Sequence, residues 1–185
     1  MSKAQFAARS LNDVGLAAWF GGSLMGAVGL NESAAREAPN AETGRVAGEG
    51  WSAWTPVNFA AIGAHLAGAT ALAVGNRARL LSQRNVASVS IVKTALTAAA
   101  LGATAYARAI GQRVIEAEEP ATSGTEPSAS TSDRVAEAQR RLRVLQWVIP
   151  ALTGGMIICD SVLGEQQRPM NVVSGVARKL IPGRH

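Results

Sequence analysis

Charge is what this sequence withholds, and it does so in four places. Residues 14–30, 55–75, 86–107 and 144–164 lose nearly all Asp, Glu, Lys and Arg and fill with Ala, Gly, Val and Leu. The chain is also short of the side chains that most often do chemistry, with one Cys, two His and one Tyr in 185 residues. The lone Cys159 excludes an intramolecular disulfide, and with no base or metal ligand near it in sequence it reads as a small packing residue. A phosphate-binding Gly-Lys loop, a dinucleotide Gly-rich turn, a His-Glu-x-x-His zinc motif and paired Cys-x-x-Cys ligands are all missing. No Ser/His/Asp arrangement stands out either. The expectation is a protein that is not an enzyme and carries neither cofactor nor metal.

What is present is length without charge. Crossing the hydrocarbon of a bilayer takes roughly 20 mostly apolar residues, and the uncharged run 50–76 meets that outright. Residues 14–31 are uncharged for 18 positions, whereas the third run contains Lys93 and the fourth is interrupted by Asp160. A bilayer offers no water to the backbone, so each run must close its own hydrogen bonds as a helix. The competing soluble bundle would need a polar stripe along every helix. Ser23 alone in the first run, and Asn58, His65 and Thr70 in the second, are too few for one. The mean hydropathy of +0.12 is low only because two long polar connections are averaged in. The fold class expected is all-α, a four-helix transmembrane bundle in one domain, multi-pass in the cell membrane.

Basic residues orient it. With four spans, the N-terminal tail, the second connection and the C-terminal tail share one side and carry ten bases against three acids; the other side carries eight bases and ten acids. By the positive-inside rule both termini are cytoplasmic. Trp51, Trp54, Tyr106 and Trp147 fall at the opposite edge, where amphipathic rings collect. Arg140, Arg141 and Arg143 run against the rule, and they would be cytoplasmic if the third segment did not cross. Lys3 and Arg9 ahead of an apolar run also match a secretory signal with small residues near Gly29 and Ser33 for cleavage, but the run is longer than a usual signal core.

Small residues mark packing faces. Ala18, Gly22 and Gly26 recur every fourth position in the first span, and Ala64 and Gly68 repeat the device in the second; lipid supplies no hydrophobic drive, so helices meet where backbones can approach. The first connection is acidic and rich in Gly and Ala, which suits a loose external loop, and Thr55-Pro56 would cap and open the second helix. Residues 116–132, dense in Ser, Thr, Pro and Gly, read as a disordered external linker. Helical periodicity resumes at Asp133, Pro150 invites a kink, and 170–181 forms a short basic amphipathic segment suited to an anionic membrane surface.

Polar side chains inside spans are functional candidates because burying them is expensive. His65 lies midway along the second span, where a hydrogen bond to a neighbouring helix ranks ahead of a proton or ligand contact and far ahead of haem. The only other histidine is His185, at the last residue. Lys93 and Asp160 lie at similar depth; snorkelling to the surface is the favoured reading for Lys93, and an ion pair with Asp160 is the alternative. The basic run at 77–84 reads as the connector that topology demands, without aromatic stacking partners, so no nucleic acid is expected.

The stretch Gly-Leu-Ala-Ala-Trp-Phe-Gly-Gly at 15–22 resembles the opening helix of bacterial four-helix membrane proteins with a Trp-x-Gly-Gly core, such as the copper-resistance D-type and related uncharacterised families. That resemblance implies a bacterial inner-membrane bundle and brings no functional residue with it. The function expected is a non-enzymatic accessory or assembly subunit whose partners are the lipid bilayer and other membrane subunits or a second copy. The alternative is a small transporter or channel with a polar path through His65, Lys93 and Asp160.

Overall fold

A computed structural model describes residues 2–37, 40–75, 77 and 84–165. The amphipathic segment expected at 170–181, the connector at 78–83 and His185 lie outside the described residues. Helix α1 spans Lys3–Met25 and runs through a π turn, Gly26–Leu30, into α2, Asn31–Glu37. Helix α3 is Asn40–Gly75, α4 is Arg84–Ala117 and α5 is Asp133–Glu165, with a two-stranded hairpin, β1 (Ala121–Ser123) and β2 (Glu126–Pro127), between the last two. Four helical stretches of 31 to 34 residues are long and apolar enough to cross a membrane. At 1.5 Å per residue each measures roughly 50 Å, well beyond a hydrocarbon core of about 30 Å, so every helix projects past the apolar zone.

The helices pack as a curled row in the order α3, α1, α5, α4. Antiparallel α1 and α3 form one tight pair, α4 and α5 the other, and α1 joins them through α5, while α3 and α4 barely meet. Glycine sets the closeness of the first pair. A Cβ on Gly15 would overlap the carbonyl of Ala61 and the backbone of His65, and one on Gly68 would overlap the backbone of Ala8 and Asn12. Gly22 and Gly26 act differently: they are notches filled by the Trp54 and Trp51 rings, so these two tryptophans pack within the chain. Ala18 and Ala64 are half-buried. The centre is Leu16, Trp19, Ala100, Ile149 and Met156.

Both connections at the end of the bundle that carries the hairpin differ from expectation. The first is helical through Asn31–Glu37 and again from Asn40, so Pro56 stands inside α3. The Thr55 hydroxyl there donates to the Trp51 carbonyl at 2.9 Å, one of the bonds that hold the helix through a residue without an N–H. Helix α5 likewise continues through Pro150.

The other connection, expected as a disordered linker, is an ordered cap. Glu118, at φ 51°, turns the chain out of α4. The strands β1 and β2 then pair antiparallel around Gly124-Thr125, with Ala121, Ser123 and Thr125 buried, β1 packing on α3 and α2 and β2 on α5. Little apolar surface is needed, because hydroxyls satisfy the backbone: Ser128 and Thr131 donate to the Pro120 carbonyl, and Ser132 donates its N–H and Oγ–H to Glu119. Arg143 pairs with Glu126 at 2.9 Å, and Arg140 and Arg141 pair with Glu137. The three arginines that ran against the charge rule thus share two acids, Glu126 and Glu137.

Candidate functional site

All four long helices send one polar side chain to the same point, two to three turns from the terminal end of the bundle. Lys93 Nζ (α4) donates to Asp160 Oδ1 (α5) at 2.6 Å and to Asn12 Oδ1 (α1) at 2.9 Å. Asn12 Nδ2 donates in turn to Asp160 Oδ2 at 3.0 Å and to Asp13 Oδ1 at 2.8 Å. From α3, His65 Nδ1 lies 3.3 Å from the Asn12 carbonyl oxygen. A carbonyl only accepts, so this bond fixes the proton on Nδ1 and leaves a lone pair on Nε2. That Nε2 is buried and has no hydrogen-bond partner.

The backbone explains the convergence. Gly15 and Gly68, one on each side of this level, let α1 and α3 touch backbone to backbone, which brings the His65 ring under the Asn12 carbonyl. Lys93 does not snorkel: its side chain keeps 12% exposure and that of Asp160 22%, and the two charges share an ion pair bridged by an asparagine. Burying such a pair is tolerable where the remaining hydrogen-bonding capacity is met, which is the work of Asn12. The three residues singled out from sequence are therefore brought together. Asn12 and Asp13 complete the cluster without having been singled out, because they stand at the polar start of α1 and look like its solvated head.

Above the cluster the bundle is closed. Trp19, fully buried, meets the His65 ring edge to face at 6.3 Å and 60°, and its Nε1 donates to Thr104 Oγ1 at 3.2 Å. Met156 and Leu16 fill the same layer, and Thr97 Oγ1 donates to Met156 Sδ at 3.0 Å. Among the described residues, this buried layer stands between the cluster and the hairpin end. A second polar level lies there, where the π turn swings Asn31 inward: Trp51 Nε1 donates to Asn31 Oδ1 at 3.2 Å, and Asn31 Nδ2 donates to Gln146 Oε1 at 2.9 Å.

From the Trp19 layer up to this second level, the gap left by α3 and α4 is a cleft of ≈ 430 Å³ floored by Trp19, with Ile62 and Leu101 on its walls, Asn31 and Gln146 at its far end and Phe59, Ala105 and Arg108 at its exposed rim. Among the described residues no group of three His, Cys, Asp or Glu side chains converges as a metal site. Comparison with known proteins finds no matching family model, no matching curated protein and no matching solved structure.

Proposed function

We propose that this chain is a multi-pass protein of the cell membrane, with both termini cytoplasmic, that performs no reaction of its own and serves as an accessory or assembly subunit through helix–helix contact. The observation that carries the reading is how little of α4 the chain itself covers: 6% of its membrane-length window is buried, against 33% for α1. Ala95, Ala98, Ala99 and Gly102 form a small-residue strip on an exposed face of α4 between Ile91 and Tyr106, and a Cβ on Gly102 would meet nothing within 4 Å. In lipid, a flat face of this kind is where another helix can approach closely. Gly15, Gly22, Gly26 and Gly68 of α1 and α3, by contrast, are already used inside the chain. The resemblance of residues 15–22 to bacterial four-helix membrane proteins supports the same inner-membrane setting.

Extraction in mild detergent tests the proposal. The protein is expected to migrate as a complex larger than its own 19.1 kDa chain in detergent, and Gly102→Leu is expected to release it as a monomer with unchanged helical content. A wild-type protein that is always solitary defeats the reading.

A second reading, a small transporter, is favoured by one observation: His65, Lys93 and Asp160 come from three different spans to one buried point, and His65 Nε2 is left open. A path through that point requires the Trp19 layer to move aside.

A further inference from the structure

We propose that the cleft between α3 and α4 holds an acyl chain of a membrane phospholipid whose anionic head group rests on Arg108. This site is distinct from the Gly102 face, and its occupant is lipid rather than protein.

Size, lining and charge point the same way. A volume of ≈ 430 Å³ falls within the usual range of small-molecule pockets, about 300–1,000 Å³. A whole α-helix with side chains, about 10–12 Å across, needs a far wider gap. The lining is mainly apolar, from Phe59 at the rim through Ile62 and Leu101 to the Trp19 ring, with Asn58, Thr104, Asn31 and Gln146 as interruptions; a surface of that kind suits a hydrocarbon chain better than a hydrated solute. The rim is exposed between two helices that barely meet, so a chain enters sideways from the bilayer without crossing water.

Arg108 stands where a head group would lie. It is exposed at the cleft mouth, one residue beyond the apolar run of α4 and half a turn past Tyr106, and it makes no ion pair with a described residue. Of the other bases at this end, Arg45 is partnered by Glu42 and Glu49, Arg141 by Glu137 and Arg143 by Glu126, whereas Arg113 and Arg134 do not line the cleft. Deeper in the cleft wall, Asn58 carries a shielded Oδ1 with no donor among the described residues, an acceptor for a hydroxyl of a glycerol-type head group or backbone. A guanidinium at the interface with a free fork is suited to a phosphodiester.

The full chain in nanodiscs made of equal parts phosphatidylglycerol and phosphatidylcholine, released into a mass spectrometer under native conditions, reads the retained lipid directly. Wild type is expected to keep one lipid per chain, enriched in phosphatidylglycerol. Arg108→Gln is expected to keep a lipid but to lower the phosphatidylglycerol preference about tenfold, the loss of one charge-assisted contact. Gly111→Leu places a side chain into the cleft from a position where a Cβ meets nothing within 4 Å, and Ala105→Leu fills the rim; both are expected to lose the lipid with unchanged thermal unfolding.

Lipid retention that is the same in all four proteins overturns the proposal, as does an unchanged preference in Arg108→Gln. A cleft variant that instead dissociates a dimer or a co-purified protein assigns the cleft to a helix and also overturns it. Neither outcome touches the accessory reading, which stands or falls on Gly102.

Discussion

Asn12 is the residue on which the buried cluster depends, since it both accepts from Lys93 and donates to Asp160 and Asp13. Removing one charge of the pair leaves the other buried without a counter-ion, and such losses cost about 3 kcal/mol. Asp160→Asn is therefore expected to lower the thermal midpoint in detergent clearly, and Lys93→Gln added to it is expected to recover most of the loss. Equal stability of Asp160→Asn and wild type would show that the two groups are effectively solvated. The same variant separates a brace from a transport path, because a brace gives wild-type liposomes no more proton flux than empty ones, whereas a path gives flux that Asp160→Asn and His65→Ala remove. How much of this was readable in advance follows from context. A lysine, an aspartate or a histidine stands out against an apolar run, so three members of the cluster were legible. Asn12 was not, because an asparagine beside Asp13 at the start of a helix has the pattern of a solvated end.

At the scale of the element, glycine does two jobs that sequence spacing does not separate. Gly22 and Gly26 have the regular fourfold interval and turn out to be notches for Trp54 and Trp51; Gly15 lies outside that ridge and makes the backbone contact with α3. The interval records which face is small, not what fills it. Gly68→Ala is expected to destabilise the bundle by about 1–2 kcal/mol, because its Cβ would meet the backbone of Ala8 and Asn12 and overpacking outweighs the better helix propensity. Gly63→Ala, whose Cβ meets nothing within 4 Å, is expected to be neutral or to stabilise by up to about 1 kcal/mol. Opposite signs for the two in the same unfolding assay check the α1–α3 interface; equal effects would refute it. The hairpin was illegible for a related reason. Composition reports how little apolar surface 116–132 can bury, and it is silent on hydroxyls that close the backbone locally, as Ser128 and Thr131 do.

For the whole molecule, the four spans were legible because hydropathy over a bilayer thickness is a property of composition, whereas which helices touch is a property of shape. The row α3, α1, α5, α4 leaves two surfaces that no hydropathy pattern announces, the cleft and the uncovered face of α4. It also makes the crossing of α4 testable, since Lys93 and Asp160 lie at one level only if α4 and α5 run antiparallel through the same layer. In a Cys159→Ser background, single cysteines at Ser2 and Arg77 lie at the terminal end, and those at Glu42 and Ser130 at the hairpin end, all exposed. A membrane-impermeant thiol reagent applied to intact cells is expected to label Glu42→Cys and Ser130→Cys and to reach Ser2→Cys and Arg77→Cys only after lysis, as the excess of basic residues on the terminal side requires. Labelling of Ser130→Cys only after lysis, with Glu42→Cys labelled in intact cells, would mean that α4 does not cross. The Lys93–Asp160 pair could not then form within the bilayer, and the four-helix row would have to be abandoned along with every site built on it.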